Sequence, residues 1–291
     1  MITRRSFLSY PAVPLISRAG AEAAPGSILD QVRAGKRVKG ADIVDAHAHF
    51  KKSLAGLIWP RNVEMLLADA ERCGIGQVIA SHVAAYMAVS GDQIKAAHDE
   101  CAEAAARYGR RLRVYLVFHP RHLETSVAEM QRALAPGSPF VGFKLHGAIA
   151  RYPSDGPAYR PVFEFANEHG LPVLLHPWRG LEGIGSIMKR YRRMTLTLAH
   201  MGLLPDELGD LLKAQPNLFV DTCGSTLPYR HLERLVRQAG AEKIMFGTDA
   251  TYLAIGPQLA KIGFAHISEG EKRLILGGNA RRLFGSRLTL A

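Results

Sequence analysis

The sequence predicts a single-domain α/β protein built as a (β/α)8 barrel of the TIM-barrel class, and three observations lead there. Short apolar runs rich in Val, Ile, Leu and Phe recur eight times between residues 43 and 248, each followed by a stretch with helical spacing. Their starts lie 22 to 35 residues apart, which leaves room for a strand, a loop and a helix in every unit. Strands that alternate with helices pair in parallel, because a parallel neighbour needs a long crossover, and eight such units close on themselves. The rival, an open doubly wound sheet, needs fewer units, and no Gly-x-Gly-x-x-Gly follows the first strand.

Taken in order, the strands are expected at 43–48, 77–82, 112–118, 141–145, 172–176, 194–199, 218–222 and 244–248. Helices are expected at 62–73, 92–108, 123–134, 159–169, 205–214 and 229–239. In 92–108, Ile94, Ala97, Cys101, Ala104 and Ala105 recur every three or four residues and make one apolar face. Pro60, Pro161 and Pro205 fall near helix starts, where a missing N–H is tolerated.

The first 26 residues read differently. Thr3-Arg4-Arg5-Ser6-Phe7-Leu8 sets two arginines before an apolar stretch, and Ala21-Glu22-Ala23 offers small residues for cleavage, as in a twin-arginine export signal. The expectation is export to the periplasm or beyond, or a cytoplasmic location if this segment is not a signal. Removing residues 1–24 takes away Arg4, Arg5, Arg18 and Glu22, three positive charges and one negative, so the net charge falls from +11 to +9. The remaining basic residues form short scattered pieces such as Lys189–Arg190 and Arg192–Arg193 without interleaved aromatics, which argues for a solvated surface and against a nucleic-acid platform. Beyond residue 27 no uncharged apolar run approaches the ~20 residues of a membrane span, so no stable membrane association is expected after export. Cys73, Cys101 and Cys223 lie far apart without a Cys-x-x-Cys pair, which suggests neither a disulfide framework nor a thiolate zinc site.

Reactive groups in such a barrel come from the C-terminal ends of the strands. The first strand ends Asp45-Ala46-His47-Ala48-His49, where alternation puts residues 45, 47 and 49 on one face and lets two imidazoles chelate one ion. The fifth ends Leu175-His176-Pro177, the sixth Ala199-His200-Met201-Gly202 and the eighth Gly247-Thr248-Asp249. Any one of these reads as a hydrogen-bonded histidine or a capping aspartate, but together they suit a first-row divalent ion, zinc above all, with a water to activate. His82 and His119, near the ends of strands two and three, read as satisfied barrel histidines, and His98, His169, His231 and His266 as surface groups on helices.

With Phe143-Lys144-Leu145-His146 and the closing Gly278-Asn279-Ala280-Arg281-Arg282-Leu283-Phe284, these motifs over residues 41–285 resemble the amidohydrolase superfamily, in the branch related to aminocarboxymuconate-semialdehyde decarboxylase. The resemblance implies that His47, His49 and His176 ligate the metal, that Asp249 ligates it or takes the proton from its water, and that His200 polarises the substrate or holds the water. It implies one metal, or two if Lys144 is carboxylated as in dihydroorotase-like relatives. Otherwise Lys144 is a cation for a substrate carboxylate or a partner of Asp249, and His146 a substrate contact. Trp59 and Arg179, in loops facing the site in such a barrel, would suit a substrate with a ring and a carboxylate, or serve as simple packing or a loop ion pair. The leading expectation is a hydrolase of an amide, ester or lactone in a small molecule, with a non-oxidative decarboxylase of a small aromatic or unsaturated acid as the alternative. A metal-dependent DNase is weaker, since no glutamate ends strand three or four. The family resemblance is also consistent with a homodimer.

Overall fold

A computed structural model describes residues 26–50, 62–201, 205–224 and 227–289. Residues 1–25 of the expected export signal, Trp59 and Gly202 lie outside the described residues. Eight parallel strands follow one another in chain order: β1 Ile43–Phe50, β2 Ile75–His82, β3 Leu112–Val117, β4 Phe140–His146, β5 Pro172–His176, β6 Thr195–Leu198, β7 Leu218–Asp221 and β8 Ile244–Met245. The end of the sheet returns to its beginning. Ala46 N–H donates to Phe246 O at 2.9 Å and Asp249 N–H to His47 O at 2.8 Å, with a further parallel bridge between Ala48 and Ala250. The barrel and the single domain are as the sequence predicts, with strand ends shifted by up to three residues.

The helices lie outside, and their starts follow local chemistry. Ser90 caps Gly91–Tyr108 by accepting from Gln93 N–H, and the apolar face Ile94, Ala97, Cys101 and Ala105 is buried. The helix at Arg160–His169 ends in Gly170, whose φ of 61° lies in the left-handed region that terminates helices. Among the described residues no helix is long and apolar enough to cross a membrane.

The barrel interior is a packed core to which seven strands and the residue that follows β6 contribute side chains: Val44, Ala46, Ile79, Tyr115, Val141, Leu174, Ala199, Phe219 and Met245. Ala280, Phe284 and Leu288 of the C-terminal segment join this cluster and close the end from which the strands start. Polar groups are therefore left to converge at the opposite end, where the strands finish. All three cysteines are free.

Candidate metal centre

The C-terminal end of β1 is fully buried and its register shifts between Asp45 and Ala48, so a bulge re-aims the chain where the chelating pair begins. His47 and His49 still converge, with their Nε2 atoms 3.1 Å apart. Asp249 brings Oδ1 to 2.9 Å from His49 Nε2 and 3.7 Å from His47 Nε2. Asp249 and His200 both adopt positive φ, 58° and 61°, conformations that non-glycine residues seldom take and that the barrel framework holds in place.

His200 Nε2 faces His176 Nδ1 at 3.1 Å, and His146, the last residue of β4, stacks on His176 with ring centroids 4.2 Å apart. His146 also caps the turn that follows by accepting from Ile149 N–H, so its ring is held beside the cluster. Lys144 is buried, with Nζ 2.8 Å from His47 Nε2. Two residues missed in the sequence lie beneath. Asp221, at the end of β7, accepts from His47 Nδ1 at 2.7 Å, and Cys223 Sγ lies 3.1 Å from His47 Nδ1 and 3.3 Å from His200 Nδ1. Tyr86 and Tyr252 complete the wall, their rings 5.8 and 5.2 Å from that of His49.

Burial sets the protonation of this cluster. It lowers His47 and His49, with the Lys144 charge adding to the shift at His47, and it pushes His176 down to about 3 with His200 adding to the shift, so these imidazoles are neutral at pH 7. Burial opposes ionisation of Asp249, but the hydrogen bond from His49 and the neighbouring histidines outweigh it and hold the carboxyl well below its usual range. Neutral imidazoles beside a carboxylate are the donor set a divalent cation takes. Donors on a common ion with bonds of about 2.1 Å stand roughly 3.0–3.4 Å apart, and the separations among His47, His49 and Asp249 bracket that range. One donor atom each from His47, His200, Cys223 and Asp249 also lie within 4.8 Å of one another.

The structure thus brings together His47, His49, His176, His200, Asp249, Lys144 and His146. It does not bring in Arg179, which is exposed and lays its guanidinium over Trp178, 4.8 Å from the ring centroid. His82 and His119 are buried and bonded, His82 accepting from Ala84 N–H and His119 from Arg121 N–H. His98 and His231, read as surface groups, are buried instead: His98 bridges Glu129 and Val117 N–H, which draws that helix onto β3. Asp221 carried a legible signal, an aspartate closing the seventh strand. Cys223 stands in no Cys-x-x-Cys pair, so no sequence spacing marks it.

A closed (β/α)8 barrel with imidazoles and a carboxylate gathered where its strands end defines the class of metal-site barrel enzymes. Residues 44–286 match the family described as Amidohydrolase, and the chain belongs to that family. A search of curated proteins found no match. Among solved structures, 2,6-dihydroxybenzoate decarboxylase from Rhizobium is similar at 20% identity with a TM-score of 0.66, covering 84% of this chain and 98% of that one. 5-Carboxyvanillate decarboxylase from Sphingomonas paucimobilis is similar at 17% identity and 0.65, covering 84% and 99%. A dihydroxybenzoic acid decarboxylase from a Polaromonas species, holding manganese and 2-nitroresorcinol, is similar at 20% identity and 0.68, covering 84% and 97%. At these identities the likeness shows a shared fold. It also corrects the expectation of hydrolysis: the reactions named for these neighbours are decarboxylations, which favours the alternative drawn from the sequence.

Proposed function

We propose that this protein is a metal-dependent, non-oxidative decarboxylase of a small aromatic or unsaturated carboxylic acid. The observation that carries the reading is the convergence of His47, His49 and Asp249 at donor spacing inside a barrel whose structural neighbours include several decarboxylases. His47, His49 and Asp249 would hold the ion, with His176 beside them. When bound, a divalent ion supplies positive charge that orients an anionic substrate and stabilises charge developing on its oxygens. Zinc is the ion favoured by the histidine-rich set, and manganese, held by the Polaromonas relative, is the competing one.

Replacing a carboxyl group by hydrogen breaks one C–C bond, leaves its electron pair on the carbon and requires one proton there, with no outside oxidant or reductant. His200, which faces His176 and stands outside the triangle of His47, His49 and Asp249, is the group suited to hold and deliver that proton. The Lys144 ammonium adds a fixed positive charge beneath the site, which favours an anionic substrate. Tyr86, Tyr252 and His146 offer flat faces beside the donors, a wall suited to a planar acid.

Product analysis tests the reading. The protein, loaded separately with zinc and manganese, is given hydroxybenzoates in one set of assays and esters and lactones in another. Carbon dioxide release with the matching phenol is expected; turnover of esters or lactones without carbon dioxide release would overturn the proposal. Export is a separate proposal supported by Arg4-Arg5 and the apolar stretch after them. Replacing both arginines by lysine should leave the protein in the cytoplasm on fractionation, because that pathway reads paired guanidinium groups.

A further inference from the structure

We propose that Asp221 is a positioning residue that places the ring protons of His47, His200 and His176, and thereby decides which of their nitrogens are free to ligate. Asp221 is buried, and four donors surround its carboxylate. His47 Nδ1 approaches Oδ2 at 2.7 Å, while His200 N–H at 2.9 Å, Cys223 N–H at 3.3 Å and Cys223 Sγ at 2.9 Å all address Oδ1.

The proton of His47 is fixed from both sides of its ring. A carboxylate only accepts, so Nδ1 carries the hydrogen that reaches Asp221. An ammonium only donates, so Nε2, which faces Lys144 Nζ, offers a lone pair. Gly247 makes the pairing sterically feasible: a Cβ there would lie 2.9 Å from His47 Cβ and 3.4 Å from Asp221 Cβ.

The second branch runs through Cys223. Its S–H points at Asp221 Oδ1, which leaves sulfur lone pairs to accept from His200 Nδ1 at 3.3 Å. His200 then carries its proton on Nδ1 and offers Nε2 as an acceptor to His176 Nδ1, 3.1 Å away. His176 must donate there, so its own Nε2 is left bare. One carboxylate on β7 thus presets the tautomers of histidines on β1, β5 and the turn after β6, and leaves the Nε2 atoms of His47 and His176 unprotonated. Buried partners of this kind fix ring tautomer and orientation in metal sites generally. The consequence for metal affinity rests on the metal-dependent reading above, whereas the proton placement does not.

The test is 15N NMR of ring nitrogens in full-length, histidine-labelled protein, loaded with diamagnetic zinc and again after chelation, with peaks assigned by single substitutions. Nδ1–H tautomers are expected for His47, His200 and His176 in the chelated wild type. Asp221→Asn keeps its oxygen with the three donors at Oδ1 and turns its amide toward His47 Nδ1, so it should disturb the His47 tautomer and weaken metal binding by about 10- to 100-fold in chelator competition. If that variant does not fold, the cysteine decides: Cys223→Ala should release His200 and His176 but leave His47 unchanged, and Cys223→Ser should restore the wild-type pattern. Nε2–H tautomers in wild type, or unchanged tautomers in Asp221→Asn or Cys223→Ala, would overturn the proposal. Wild type with the expected tautomers but no affinity for metal would support the proton placement and count against the metal-dependent function.

Discussion

Lys144 and His47 meet at 2.8 Å, Nζ against Nε2, so the buried ammonium occupies the same lone pair that an ion at this site would take. Lysine and metal therefore compete for one nitrogen. Lys144→Ala should still bind one equivalent of metal, and about tenfold more tightly or better, because a hydrogen bond to a charged group contributes about 1.5–3 kcal/mol. Added bicarbonate should not change wild-type occupancy. Two equivalents in wild type, falling on Lys144 substitution, would favour a carboxylated lysine bridging two ions. Metal content by elemental analysis, with and without bicarbonate, makes the comparison.

His47→Ala or His49→Ala should remove most bound metal, since each deletes one corner of the close triangle with Asp249. His200→Asn should keep most of the metal and lose turnover on any substrate found, because the ring faces His176 and leaves the triangle intact. Full occupancy in both alanine variants would show that neither histidine holds the ion, whereas loss in His47→Ala with full occupancy in His49→Ala would point to the set of His47, His200, Cys223 and Asp249.

His119 supplies an acid-sensitive element outside the metal centre. Burial, with the His122 ring 4.8 Å away, lowers its pKa from 6.5 to about 4. The folded state then binds fewer protons than the unfolded chain between these values, so stability attributable to this group is complete above pH 6.5 and is lost as pH falls toward 4. The loss is at most about 3 kcal/mol and less with solvent screening. Urea unfolding at pH 7 and pH 4.5 should therefore show a smaller acid loss in His119→Gln than in wild type. Equal losses would place the acid sensitivity in other groups.

The fold was legible because burial inside a barrel writes each strand as a short apolar run and each crossover as an amphipathic helix. Part of the site was legible for a related reason. His47, His49, Lys144, His176 and Asp249 sit at the ends of those runs, so finding the strands finds the residues. What sequence spacing cannot express is who faces whom across the barrel. Asp221 and His47 are 174 positions apart, and their pairing exists only because closure sets β1 against β8, one strand from β7. His98 failed for another reason: helical position alone does not distinguish a solvent-facing ring from one that bonds a strand amide, as His98 does at Val117. Arg179 illustrates the converse, a loop position suited to substrate whose guanidinium stacks on its neighbour Trp178.

Asn279 accounts physically for part of the closing Gly-Asn-Ala-Arg-Arg motif. Its buried side chain donates from Nδ2 to Ala241 O at 2.8 Å and to Ile244 O at 2.7 Å, tying the helix Asn279–Phe284 to the start of β8. That helix carries Ala280 and Phe284 into the base of the barrel, so the amide links the plug to the strand beside it. Asn279→Ala removes both hydrogen bonds and leaves two carbonyls without their donor, each worth roughly 1–3 kcal/mol when buried and unsatisfied. The variant should therefore lose about 2–4 kcal/mol in urea unfolding, since partial relaxation recovers some of the sum. Asn279→Asp should do no better, because a carboxylate facing two carbonyls can only repel them. Because the contacts lie at the strand-start end, opposite the donors, the metal affinity of folded Asn279→Ala should match that of wild type. A fall in affinity with unchanged stability would mean that this end of the barrel positions the site instead of holding the fold together.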